Sequence, residues 1–244
     1  MLKLKRMMYI SGSFSKAVFV LLFLAVQGKV SAQEVSAQEV SEQEVSEQDT
    51  LRTFGPRIGI DLVPFFYYFT EPKIIGAELS VDFEIYKNLY PVFELGYSST
   101  SVSEETFDYE SAGNYARAGI DYNLLKLKDR SEHHIMTVGF RYGISVFKHS
   151  SENILIYSDY WGDYISEPHE NSLRGHWIEL VGGIKVEVVS NLYMGWLLRY
   201  KFLLNQNMDP VMIPAHIPGY GNGVDTSTFG FSYSIFYMIP LIKK

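Results

Sequence analysis

Four histidines, His149, His169, His176 and His216, stand in the second half of the chain near Ser150, Ser151, Asp159, Asp163 and Ser172. Those residue types could run acyl transfer, with imidazole as base and a hydroxyl as nucleophile. Such chemistry needs a serine raised on a strained strand-to-helix turn, or histidines at ligating intervals, and neither pattern occurs. Asp82 and Glu84 offer the two carboxylates that acid and base work requires. Two positions apart on one strand, they would need a substrate cleft beside them. Cysteine is absent, which excludes a thiolate nucleophile, a cysteine-ligated metal, a disulfide framework and a lipid-anchor cysteine. No catalytic residue, cofactor or metal is therefore assigned from sequence, and the histidines are read as solvated loop side chains.

The elements that must position these residues follow a two-residue period. In "GAELSVDFEI", Ala77, Leu79, Val81, Phe83 and Ile85 alternate with Glu78, Ser80, Asp82 and Glu84. The same alternation runs through "YPVFELGYS", "YARAGIDYNLL", "MTVGFRYGISV" and "FGFSYSIFYMIP". It continues less regularly around residues 57–62, 178–188 and 194–202. Each is a strand with one apolar and one polar face, which predicts eight strands. Eight amphipathic strands close into a barrel of either polarity, with the apolar face inside as a soluble carrier or outside as a membrane protein.

Size decides between them, because an eight-stranded barrel is only just wide enough for side chains to fill it. The apolar face carries Phe83, Phe93, Tyr97, Tyr122, Phe140, Tyr142, Trp196, Tyr200, Phe229, Phe231, Tyr233 and Tyr237, too many rings for that space. These are expected to face lipid. The opposite face holds small residues such as Gly96, Gly143, Ser80 and Ser232 together with a charge network. Its expected members are Asp61, Glu78, Asp82, Glu84, Glu94, Arg117, Asp121, Arg141, Glu179, Lys185, Glu187, Arg199 and Lys201. Charges in a narrow lumen have to be paired, so an ion-paired plug is expected rather than an ion pathway.

Tight turns at 87–88 and 190–191 and a modest one at 126–134 contrast with long connections at 99–114, 148–176 and 205–224, with a short exception near 69–73. That is the outer-membrane arrangement, with both termini in the periplasm. The loop 153–166 concentrates Tyr157, Tyr160, Trp161 and Tyr164 and is a candidate surface-binding element. Prolines at 210, 214 and 218 stiffen the last loop.

At the N-terminus, Lys3, Lys5, Arg6 and Lys16 precede the apolar run 17–26 and a small-residue exit at Ala32. This is a secretory signal peptide over 1–32, its apolar run of about 15 Å as a helix being too short to span a bilayer. The repeated Val-Ser-Ala leaves Ala37 as a second cleavage position. Losing five cations would take the formal charge from −7 to −12, so nucleic acid is not an expected partner. The pentapeptide copies "VSAQE VSAQE VSEQE VSEQD", from Val30 to Asp49, offer one valine each and no face to bury, which describes a disordered acidic tether over 33–54. The barrel domain is expected over 55–244.

With "YARAGIDYNLL", "FRYGIS", "GWLLRYKF" and "IPGYGN" followed by an aromatic last strand, the chain resembles a family of small outer-membrane barrel proteins of Bacteroidota over residues 55–240. More generally it is similar to eight-stranded barrels of the OmpA and OmpX type. It departs from them in ending "IPLIKK" rather than on a terminal aromatic, so Tyr233 and Tyr237 would have to signal insertion. The resemblance implies an all-β, eight-stranded antiparallel up-and-down transmembrane barrel in the outer membrane of a Gram-negative bacterium. Its implied partners are outer-membrane lipid, the barrel-insertion machinery and an extracellular ligand. A structural or surface-interaction role is expected. The alternatives are an outer-leaflet acyltransferase or deacylase using the loop histidines, and a soluble secreted carrier.

Overall fold

The computed structural model describes residues 53–70, 73–125, 134–157, 162–206 and 208–243. The expected signal peptide at 1–32, and the repeat linker up to residue 52, lie outside the described residues. The barrel strands are β1 (Arg57–Asp61), β2 (Ile74–Asp82), β3 (Leu89–Glu104), β4 (Phe107–Asn123), β5 (Ile135–Glu152), β6 (His169–Val189), β7 (Leu192–Leu203) and β8 (Ser227–Met238). Each pairs antiparallel with the next, and β8 pairs with β1 to close the barrel. The expected eight-stranded closed architecture is therefore the observed one.

At one end the turns are tight for a local reason. Asn88 and Asn191 both adopt φ of 66°, the left-handed conformation that asparagine tolerates best among residues with a Cβ. Each receives the same support from four residues upstream: Asn88 N–H donates to Glu84 at 3.0 Å and Asn191 N–H donates to Glu187 at 2.8 Å.

β1 stops early. The Asp61 carboxylate accepts the N–H of Val63 at 3.0 Å and that of Tyr233 at 3.2 Å, and the chain turns into helix α1 (Val63–Thr70). Pro64 suits a first helical turn, where its missing N–H costs nothing. This helix replaces the short connection expected near 69–73. None of its residues is buried, and Phe65, Phe66, Tyr67, Tyr68 and Phe69 all point outward.

Strands β3 to β6 have 16, 17, 18 and 21 residues, against 5, 9, 12 and 12 for β1, β2, β7 and β8. They rise on one side as a wall. The expected long connections at 99–114 and 148–176 are mostly this wall: only Glu105 and Thr106 separate β3 from β4. Sequence reading stopped those strands where the outer face became polar, but pairing continues because the backbones of neighbouring strands stay hydrogen-bonded in register whatever side chains stand on the outer face.

Along β5 the outward residues stay apolar from Met136 to Val146 and turn charged at Lys148. Ten steps from residue to residue at about 3.3 Å, tilted by roughly 40°, give an apolar band about 25 Å tall, the height of a bilayer-spanning barrel. Above it, Lys148 pairs with Glu170 at 2.8 Å on the exposed outer face.

Candidate functional site

The barrel interior is filled in three layers. At the turn end, Tyr90, Tyr193, Phe236 and Met238 are buried. Arg57 stacks on Tyr90 at 4.7 Å and Lys185 on Phe236 at 4.5 Å, and both cations bond Asp82.

The middle layer is a dense ion-pair network. Glu94, on β3, is its hub. One oxygen meets Arg141 and lies 3.1 Å from Arg199; the other lies 2.9 Å from Arg117 and 2.8 Å from Arg199. Glu78 accepts from Arg117 at 2.8 Å and from the Tyr115 hydroxyl at 2.6 Å. Glu179 accepts from Arg199 at 3.1 Å and from the Trp177 indole at 2.6 Å, and Arg141 reaches Asp121 at 3.0 Å. Across the turn-end and middle layers together, six acids (Asp61, Glu78, Asp82, Glu94, Asp121, Glu179) accompany six bases (Arg57, Arg117, Arg141, Lys185, Arg199, Lys201), all buried. Equal numbers with several bonds apiece are what low-dielectric surroundings demand of ionised groups.

Two cross-strand pairs show how so much volume fits. Gly96 faces Tyr115, and Gly143 faces Trp177. A Cβ on either glycine would fall 2.2 Å from the opposing ring, so the aromatic occupies the space its partner leaves.

The third layer closes the far mouth. Tyr115, Phe147, Leu173, Trp177 and Leu203 form an apolar cluster with Ile217 and Tyr220 from the β7–β8 loop. That loop dips inward because its carbonyls are held from below. Arg117 donates to Gly219 O at 2.8 Å, and Lys201 donates to Gly219 O at 2.8 Å and Tyr220 O at 3.1 Å. Gly219 has φ of +79° and its Cβ would strike the Tyr115 ring, so the descent requires glycine there.

Of the thirteen residues expected in the lumen network, eleven are buried inside the barrel. Glu84 and Glu187 are half-buried at the turn end and support the Asn88 and Asn191 backbone instead. Their distance from the network follows from position: both lie beyond the last inward layer. All twelve rings expected on the outer face point outward, ten of them exposed and Tyr200 and Tyr233 half-buried against Phe229 and Trp196. Tyr157 and Tyr164 are exposed, whereas Tyr160 and Trp161 lie outside the described residues.

The four histidines do not converge. His176 sits on the outer face, its Nδ1 2.8 Å from the Tyr142 hydroxyl. His216 points inward, its Nε2 3.2 Å from Ser98 Oγ. His149 and His169 both contact one oxygen of Asp209, at 2.9 and 2.8 Å. Asp163 and Ser172 are exposed, and Asp159 lies outside the described residues. Asp209 was missed in the sequence because nothing local marks it beyond the Asp-Pro turn that it opens. Tyr115, Trp177 and Phe236 were legible in principle, since they share parity with Arg117, Glu179 and Ser234.

Burial, with Lys201 nearby, pushes the His216 imidazole down to about 4 from its usual 6.5. A base whose pKa is lower when docked than when free binds protons preferentially in the undocked state. Docking is therefore fully supported above pH 6.5 and weakens as pH falls toward 4. The expected result is that the β7–β8 loop opens more readily over that interval, by up to on the order of 10²-fold. Protease nicking of residues 204–226 in the folded barrel measures it. His216→Asn, which keeps a partner for Ser98 without titrating, should remove most of the dependence. An unchanged profile would show that His216 does not govern docking.

The chain matches the family model described as "Domain of unknown function (DUF6048)" over residues 12–244. No curated protein matches it. Among solved structures it is similar to Ail, the attachment invasion locus protein of Yersinia pestis, at 10% identity and a TM-score of 0.43, covering 77% of this chain and 100% of that one. It is also similar to Neisserial surface protein A, at 12% identity and a TM-score of 0.38, covering 76% and 94%. The third is CarO of Acinetobacter baumannii, at 9% identity and a TM-score of 0.38, covering 78% and 99%.

Proposed function

Because the chain belongs to the DUF6048 family, its role has to be read from its own geometry, and we propose an outer-membrane β-barrel of a Gram-negative cell envelope with a structural or surface-interaction role. One observation carries this reading: the barrel is inside out relative to a soluble one. Leu95, Ile120, Val138, Leu180, Leu198 and Phe229 stand exposed around its circumference, while twelve charged side chains are buried along its axis. An apolar band of that extent is costly in water and favourable against acyl chains. Outer-membrane lipid is then the principal partner, and the aromatic strand β8 is the segment the insertion machinery would meet.

The signal peptide read in residues 1–32 supports export. The tight-turn end and the chain termini would lie in the periplasm and the β3–β6 wall outside the cell. An ion-paired middle beneath an apolar mouth supports a plug rather than a conduit, and the histidines, divided between the outer face, the lumen and Asp209, favour no catalytic role. Tyr157 and Tyr164, at the top of the wall, belong to the candidate contact surface for an extracellular ligand.

Fractionation with a heat-modifiable gel assay tests the reading. The protein is expected in the outer-membrane fraction, migrating faster unheated than boiled because the closed barrel resists detergent. Recovery as a soluble protein without detergent would overturn it in favour of the secreted carrier.

A further inference from the structure

We propose that His149, His169 and Asp209 bind one divalent transition-metal ion of the zinc class, which clasps the β7–β8 loop to the raised wall. The three residues come from β5, β6 and the loop, separated by 20, 40 and 60 positions, yet a ligand atom from each lies within 4.8 Å of the other two. Both histidines present Nε2 to the same carboxylate oxygen, at 2.9 and 2.8 Å. Zinc with bonds near 2.0–2.1 Å in tetrahedral geometry sets its ligands roughly 3.3 Å apart. Seating the ion opens each imidazole–carboxylate gap by roughly 0.5 Å toward that spacing, while the two Nε2 atoms, within 4.8 Å of each other, adjust to it.

The surroundings suit a cation. The side chains of His149 and Asp209 are wholly buried, and among the described residues Asp209 has no ion-pair partner other than these two imidazoles. A divalent ion at this point sets positive charge directly against that buried carboxylate. The carboxylate is fixed in place, its other oxygen accepting the N–H of Val211 at 2.9 Å and Asn171 Nδ2 reaching the ligating oxygen at 3.1 Å. Such outer contacts orient metal ligands. His169 is 23% exposed on its side chain, leaving one side open for a water as fourth ligand. Two imidazoles and one carboxylate select zinc, copper, nickel or cobalt over magnesium and calcium.

The test uses tag-free, chelator-treated barrel folded in detergent. Equilibrated with zinc and desalted, it is expected to retain one ion per chain by elemental analysis, to give a cobalt(II) visible spectrum, and to retain neither magnesium nor calcium. His169→Ala and Asp209→Asn should each weaken zinc binding by at least the 10–100-fold that loss of an outer-shell partner alone costs. Zinc should slow proteolysis of residues 204–226 in the wild type and not in the variants. If Asp209→Asn loses heat-modifiable folding, His169→Ala, at the partly exposed position, decides. Retention below about a tenth of an ion per chain, or affinity unchanged by His169→Ala, would overturn the site and leave a hydrogen-bonded latch.

Discussion

Replacing Glu94 with alanine is expected to destabilise the folded barrel by about 3–5 kcal/mol, the cost of breaking a buried ion pair from one side. Its carboxylate makes contacts to Arg117, Arg141 and Arg199, so removing it leaves three buried guanidiniums sharing Glu78, Asp121 and Glu179. Against a typical total of 5–15 kcal/mol, that is enough to shift the urea midpoint of unfolding strongly or to prevent closure. Glu84→Ala and Glu187→Ala provide the internal comparison. Each removes a hydrogen bond to a turn N–H from a half-buried carboxylate outside the network, a bond that contributes about 1 kcal/mol. The double change Glu94→Leu with Arg199→Met removes one acid and one base together. It should cost less than Glu94→Ala alone, because replacing a buried pair by apolar side chains is often neutral. A Glu94→Ala barrel within about 1 kcal/mol of the wild type would show that water hydrates the lumen, and the plug would then give way to an ion pathway.

The alternation that fixes parity was legible because it repeats: Arg117, Arg141 and Arg199 share a face with Glu94 and Glu179 whichever strand is read first. Parity fails only where pairing and environment part company. Above the apolar band the outer face of β5 carries Lys148 and Ser150, a composition that reads as loop, while the backbone continues in register with β6. Helix α1 was hidden for a different reason. Its sequence "VPFFYYFT" has no polar face to give a helical period, and only Asp61 and Pro64 hint at its start. The mouth closure was the least accessible. Ile217 and Tyr220 become core residues only because Arg117 and Lys201, a hundred and some twenty positions upstream, hold the carbonyls between and beside them. No local pattern encodes a partner at that separation. The same holds for Asp209, whose two histidines lie on other elements.

Leu198→Arg probes the outer face with the same severity. Leu198 sits at the middle of β7, 55% exposed, opposite Phe231 on one side and Gly182 on the other. Its sequence neighbour Arg199 is wholly buried and paired, so an arginine is tolerated one position away provided it points to the axis. If acyl chains surround the barrel, an outward arginine at mid-height should cost about 2–4 kcal/mol, the price of holding a cation at the bilayer midplane. Ser172→Arg, on the wall above the apolar band, should stay within about 0.5 kcal/mol, as exposed substitutions in water do. Urea titration of barrels folded into phosphatidylcholine vesicles reads both. In water the difference would vanish, since an exposed leucine exchanged for arginine on a soluble barrel removes an apolar patch at little cost. Equal stability of Leu198→Arg and Ser172→Arg would therefore mean that the rings and aliphatic side chains of this surface meet something other than lipid, whatever their number.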